Sequence, residues 1–131
     1  MPQFLLPLIF SFFITVPAFA ADMTVYKDPN CGCCSKWVKH MEAAGHTVTT
    51  VNTKDMDNTK AALGVPNYLR SCHTAKVDGY VLEGHVPAAD VERLLSERPE
   101  ARGLAVPGMP TGSPGMEMPG VSPDSYEVIL F

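Results

Sequence analysis

The chain has 131 residues, a formal net charge of −4 at pH 7 and 46% hydrophobic residues. This length allows one ordinary domain and is too short for two. An acidic chain without a basic run offers no binding surface for nucleic acid or anionic lipid, so we expect neither as a partner.

Residues 1–20 are typical of a secretory signal peptide. An apolar run from Phe4 to Val16 is followed by Ala18-Phe19-Ala20, which matches the small-x-small pattern of a cleavage site. Because the run is short for a membrane-spanning helix and is broken by proline, we expect no membrane span after signal cleavage. Retention of this segment as an anchor is the alternative.

The residues after the signal predict an α/β protein with a thioredoxin-like core. In chain order, we predict a strand over 23–27, a helix after the turn at 28–30, a strand over 46–52, a helix over 54–63, a hairpin with strands 74–77 and 80–83 around Asp78-Gly79, and a helix from Pro87 to Pro99. The order β-α-β-α-β-β-α is that of the thioredoxin core. We therefore divide the chain into a signal peptide (1–20), a thioredoxin-like metal-binding domain (21–98) and a C-terminal extension that packs on it (99–131).

The first helix has a clear apolar face. Its positions i, i+3, i+4 and i+7 are Cys34, Trp37, Val38 and Met41. We expect this face, including the methionine, to pack in the core. His40 lies off it, and His46 begins the next strand, so we place both histidines at the surface.

Three of the four cysteines lie in one short motif, Cys31-Gly32-Cys33-Cys34, at the start of the first helix. Free backbone N–H groups and the positive end of the helix dipole stabilise a thiolate at this position. Both redox chemistry and metal binding use thiolates. Cys31 and Cys34 form a C-x-x-C pair, and Cys33 is one thiol more than a dithiol oxidoreductase needs.

The fourth cysteine, Cys72, lies in the loop before the hairpin, which faces the first helix in a thioredoxin core. We therefore expect Cys31, Cys33, Cys34 and Cys72 to converge as metal ligands. Four thiolates outside the cytoplasm suit a soft ion, with Cu(I) as the leading candidate, and bridging thiolates could hold more than one copper. Two disulfides, Cys31 with Cys34 and Cys33 with Cys72, or a four-thiolate zinc site are the alternatives.

Several separated stretches resemble those of the CopG-type periplasmic copper-resistance proteins. They are YKDPNCGCC, SCHTA, EGHVPA, GLAVPGMP and GSPGME, which begin at residues 26, 71, 83, 103 and 112. The resemblance implies a periplasmic location, a thioredoxin-like fold and a thiolate-bridged copper cluster on the four cysteines. It also implies a role in copper tolerance, with interconversion of Cu(I) and Cu(II), alongside other periplasmic copper-handling proteins.

The second candidate function is thiol–disulfide oxidoreduction by Cys31 and Cys34. A thioredoxin-type oxidoreductase normally has a cis-proline in the loop before the hairpin, where this chain has Ser71-Cys72-His73-Thr74. We therefore favour copper binding and leave open whether the protein is an enzyme.

The sequence also leaves open whether histidines or methionines bind the metal. His73 and His85 are either ligands or partners of a thiolate, or ordinary loop residues. The tail methionines Met109, Met116 and Met118 either turn inward as packing or serve copper delivery or capping. A final strand is expected within residues 126–131.

Overall fold

The sheet is built around the first strand, which has one parallel and one antiparallel neighbour. The computed structural model describes residues 20–131, so the predicted signal peptide lies outside the described residues except for its last one. The elements are β1 (Asp22–Lys27), α1 (Gly32–Ala43), β2 (Thr47–Asn52), α2 (Met56–Ala62), a short 3-10 turn (Asn67–Leu69), β3 (Thr74–Val77), β4 (Tyr80–Glu83), α3 (Ala88–Glu97), β5 (Gly103–Ala105) and β6 (Ile129–Leu130).

These six strands form one mixed sheet in the order β2-β1-β3-β4-β5-β6. The pairs β1–β2 and β4–β5 are parallel, and the pairs β1–β3, β3–β4 and β5–β6 are antiparallel. This arrangement confirms the predicted α/β fold with its thioredoxin-like element order. The extension contributes the last two strands to the same sheet.

The predicted boundaries differ from the observed ones mainly at irregular segments. The hairpin is as predicted, because Asp78 and Gly79 both adopt the positive φ that a tight two-residue turn requires. The second helix is shorter than expected, and the final strand covers only two residues. Strand β5, with three residues, was not predicted.

The two faces of the sheet are packed differently. Alternate residues of β3 and β4, among them Ala75 and Leu82, face α1 and α3 and join one hydrophobic cluster. Trp37 and Met41 of α1 lie at the centre of this cluster with no exposed surface, as the predicted apolar face requires. The opposite residues of the strands, Thr74 and Glu83, face away from it and are also fully buried.

The prediction that His40 and His46 lie at the surface is wrong for His46 and incomplete for His40. His46 is 4% exposed, and its Nδ1 accepts a hydrogen bond from the backbone N–H of Ala21 at 3.1 Å. His40 is half-buried, and its Nε2 accepts the backbone N–H of Ala88 at 3.1 Å. His40 thus satisfies one of the free donors at the start of α3, which has no side-chain cap of its own.

Within residues 20–131, none of the helices has the length and apolar character needed to cross a membrane.

We expect His40 to make the stability of the fold depend on pH. Burial lowers the pKa of His40, and the nearby Glu117 offsets part of this effect. The unfolded chain, with a pKa of about 6.5, therefore takes up the proton first, and stability falls as the pH decreases through these values. His40→Leu should cost about 1 kcal/mol of unfolding free energy at pH 8, the usual net value of one hydrogen bond.

The difference in unfolding free energy between wild type and His40→Leu should become smaller as the pH is lowered to 5, as measured by urea unfolding at each pH. The other titratable groups are the same in both proteins, so their contributions cancel in the difference between the two unfolding free energies. A difference that stays constant over this range would contradict the assignment.

Candidate metal centre

The cysteine motif lies at the start of α1 because a tight turn ends β1 just before it. The Asp28 carboxylate accepts a hydrogen bond from the backbone N–H of Asn30 at 2.8 Å. The backbone carbonyl of Asp28 accepts one from the N–H of Cys31 at 3.1 Å. Cys31 is the N-cap residue, and its Sγ accepts the N–H of Cys34 at 3.4 Å. The sulfur atoms therefore sit among the free donors of the helix start, as expected from the sequence.

Cys72 meets this motif from the loop between the 3-10 turn and β3. The Sγ atoms of Cys31, Cys33, Cys34 and Cys72 all lie within 4.8 Å of one another. Cys31 and Cys34 form a disulfide, whereas Cys33 and Cys72 are free thiols. The structure thus brings the four predicted ligands together, and it contains one of the two disulfides that were weighed as the alternative.

Two histidines complete the surroundings of Cys72. Its Sγ lies 3.2 Å from Nδ1 of His73 and 3.0 Å from Nε2 of His85. The other ring nitrogen of His85, Nδ1, lies 2.6 Å from the carbonyl oxygen of Pro114. A carbonyl oxygen only accepts hydrogen bonds, so Nδ1 carries the proton and the Nε2 lone pair points at Cys72.

The packing around these rings is tight. The ring of His73 lies against that of Trp37, with 4.5 Å between their centroids, and against the edge of His85 at 4.9 Å. The indole Nε1 of Trp37 donates to the carbonyl of Val86 at 2.9 Å, which ties α1 to the segment that carries His85. Both histidines are fully buried, so neither is an ordinary solvated loop residue.

Burial favours the uncharged forms of Cys72, His73 and His85. It raises the pKa of the Cys72 thiol to about 11, and the neighbouring Cys33 adds to the rise. Burial also lowers the pKa of His73, with further lowering by His85 and Lys60, and it lowers the pKa of His85. A metal ion that binds at Cys72 must therefore displace a proton.

The tail covers one side of the site with backbone, and its methionines stay outside the core cluster. Pro114 and Gly115 are buried against α1 and His85, whereas Met109 is 52% and Met118 is 53% exposed, and Met116 is half-buried. The alternative in which the tail turns its methionines inward as packing is therefore wrong for Met109 and Met118. The contact of Pro114 with His85 carried no signal in the sequence, because a backbone carbonyl can come from any residue type.

Comparison with known proteins relates these features to a family. Residues 69–116, which include Cys72, His73, His85 and Pro114, match the family model "Protein of unknown function, DUF411". No curated protein matches the chain. Two solved structures do. "Copper resistance protein copG- Form 2" is 50% identical with a TM-score of 0.80, over 85% of this chain and 88% of that chain. "Copper resistance protein copG- Form 1" is 51% identical with a TM-score of 0.79, over 85% and 87%.

The chain belongs to the CopG family. This confirms the resemblance seen in the sequence, and the match covers most of the chain rather than the cysteine motif alone. Both of these solved structures are named for copper resistance.

We expect Gly115→Ala to displace the tail from the site. Gly115 has a φ of 91°, and an added Cβ would lie 2.9 Å from the Cys33 carbonyl oxygen and 3.1 Å from Nδ1 of His85. The variant should lose roughly 1–3 kcal/mol of stability, the usual range for backbone strain. It should also loosen the Pro114 contact, so that the ¹⁵N shifts of His85 indicate a mixture of tautomers.

Gly120→Ala is the matched control, because Gly120 has a φ of 74° but an added Cβ there would meet nothing within 4 Å. It should share the backbone strain and leave the His85 tautomer unchanged. Equal tautomer shifts in both variants would contradict a specific role for the close approach at Gly115.

Proposed function

We propose that this CopG-family protein binds copper as Cu(I) through the thiolates of Cys31, Cys33, Cys34 and Cys72, and that it contributes to copper resistance in the periplasm. The observation that carries the proposal is the convergence of four Sγ atoms within 4.8 Å of one another. Thiolates are the ligands that Cu(I) prefers, and the relatives of known structure are named for copper resistance. Sulfur atoms this close can bridge neighbouring ions, so a multinuclear cluster is part of the proposal.

Nitrogen donors extend this ligand set on one side. The Sγ of Cys72 and one ring nitrogen each of His73 and His85 also lie within 4.8 Å of one another. The lone pair of Nε2 in His85 is directed at Cys72, so His85 is the better placed of the two to join the thiolates. Imidazole accepts copper more evenly in its two oxidation states than thiolate does, which suits a site where copper changes oxidation state.

The Cys31–Cys34 disulfide supports a further part of the proposal, the interconversion of Cu(I) and Cu(II). With both residues reduced, two Cu(II) ions would each take one electron from this pair. The two sulfurs would form the disulfide, and any thiol protons would pass to solvent. Two electrons from a reductant in the periplasm, such as another dithiol protein, would restore the four-thiolate set. Copper is the substrate in this step.

We expect Cys72→Ser to lose most of its bound copper. The protein, reduced and loaded with Cu(I) without oxygen, is compared with the variant by elemental analysis for copper and zinc. A serine hydroxyl is a poor ligand for a soft ion, so the copper content should fall clearly while the far-UV circular dichroism stays the same. Unchanged copper content would refute the four-thiolate site, and zinc bound in place of copper would refute the metal.

We expect the reduced protein to consume two Cu(II) ions for each disulfide that it forms. Loss of the Cu(II) electron paramagnetic resonance signal gives the first quantity, and titration of thiols gives the second. Cys34→Ser, which lacks the Cys31–Cys34 pair, should reduce fewer Cu(II) ions per protein chain than the wild type. A full Cu(II) signal in the presence of the reduced wild type would refute the interconversion.

The same variants separate this function from the second candidate, a thiol–disulfide oxidoreductase that acts on proteins. The observed Cys31–Cys34 disulfide is what favours that candidate. Reduction of insulin that survives Cys72→Ser and is abolished by Cys31→Ser would support it, whereas the copper proposal predicts no insulin reduction above background.

A further inference from the structure

A buried ion pair lies on the face of the sheet opposite the hydrophobic cluster. Nζ of Lys60, in α2, donates to both carboxylate oxygens of Glu83 in β4, at 3.0 and 2.9 Å. The side chains are 5% and 0% exposed. Lys60 is the only buried residue of α2, so the fully buried contact of this helix with the sheet is made by a charged side chain.

The hydrogen-bonding capacity of the pair is fully used. The third proton of the Lys60 ammonium goes to Oγ1 of Thr74 at 3.0 Å. Oε1 of Glu83 accepts from Lys60 and from the Thr74 hydroxyl at 2.6 Å, and Oε2 accepts from Lys60 and from the backbone N–H of Ser71 at 3.3 Å. Each carboxylate oxygen thus has two donors, and the Ser71 N–H is the single backbone donor among the four.

The hydrogen bond from the Ser71 N–H to Glu83 connects the ion pair to the loop of the copper site. Ser71 immediately precedes Cys72, and its hydroxyl donates to the carbonyl of Gly108 in the tail. On the other side of the cysteine, the carbonyl of His73 accepts the N–H of Gly84 at 3.0 Å. Both neighbours of Cys72 are therefore hydrogen-bonded to the end of β4. Ser71 is bonded to the Glu83 carboxylate, and His73 is bonded to the backbone N–H of Gly84.

A gain in stability does not account for such a pair. Removing two charges from water costs about as much as their attraction returns, and well-packed apolar residues in their place are often as stable or more so. What an apolar pair lacks is an acceptor for the Ser71 N–H. The consequence specific to this ion pair is therefore the position of the chain just before Cys72.

We infer that Glu83, which pairs with Lys60, is a positioning residue for the copper site. Its carboxylate fixes the backbone of Ser71 and thereby holds the Cys72 thiol within reach of the thiols of α1. This inference rests on the proposed function, since it assigns the position of one proposed ligand to a residue that does not touch the metal.

Two double variants test the inference, and both remove the charges while keeping side chains of similar shape. Lys60→Met with Glu83→Gln retains an amide oxygen that accepts from Ser71 and an amide N–H₂ that donates to Thr74. Lys60→Met with Glu83→Met retains neither. The two variants thus differ in the acceptor for Ser71 and in the donor to Thr74. Thr74→Val is the control for the second difference, because it removes the Thr74 hydroxyl and leaves the Ser71 bond in place.

Two readouts are compared. In the metal-free protein, the Ser71 amide should exchange its hydrogen at least tenfold faster in the Met/Met variant than in the Met/Gln variant. In competition with bicinchoninate, a chelator of Cu(I), the Met/Met variant should bind copper at least tenfold more weakly, with the Met/Gln variant and Thr74→Val within threefold of wild type. Urea unfolding of all four proteins separates these effects from global stability.

Equal Ser71 exchange and equal copper affinity in the two double variants would overturn the inference. If the Met/Met variant does not fold, exchange in the wild type decides, because an amide at Ser71 that exchanges as fast as those of the exposed tail would also overturn it. Failure of the proposed function is recognised separately. In that case Cys72→Ser binds as much copper as wild type, and the exchange measurement still tests the positioning role.

Discussion

The antiparallel pairing of β1 with β3 is the constraint on which the site depends. It places Tyr26, near the end of β1, opposite Thr74, the first residue of β3. The loop that leaves β1 and the loop that enters β3 therefore meet at one end of the sheet. The first carries the cysteine motif and the second carries Cys72, so residues far apart in sequence become neighbours without any long connection. Because β3 continues through the tight hairpin into β4, the same end of the sheet also receives His85.

Much of this arrangement could be predicted from the sequence. The apolar face of α1 follows from its 3.6-residue period, and the hairpin follows from Asp78-Gly79, because both signals are local. The order of the elements then leads to the thioredoxin-like sheet, and the sheet leads to the meeting of Cys72 with the helix start. The convergence of the cysteines therefore follows from the topology of the sheet. The resemblance to CopG-type proteins predicts the same convergence.

What could not be predicted depends on contacts that leave no periodic pattern. The carbonyl of Pro114 that orients His85 belongs to a segment rich in glycine and proline, whose course is set by packing on the finished domain. The ion pair of Lys60 and Glu83 was hidden because a charged residue in a short helix is ordinarily taken for a solvated one. His46 was misplaced for a similar reason, since a single polar residue at the start of a strand does not indicate that Ala21 will close over it. The extent of the short strands β5 and β6 depends on their neighbours rather than on their own composition.

The tail supplies groups around the cysteines that the rest of the chain does not provide. All four cysteines precede residue 73, but the carbonyl that sets the His85 tautomer comes from Pro114, and the edge strand β6 lies near the end of the chain. A chain that stopped after α3 would still contain the complete cysteine pattern and would lack the groups that shape its surroundings. The cysteine motif and the contacts that surround it are thus separate features of the chain. A homologue with an altered or shortened tail can share the four cysteines and differ in the groups around them.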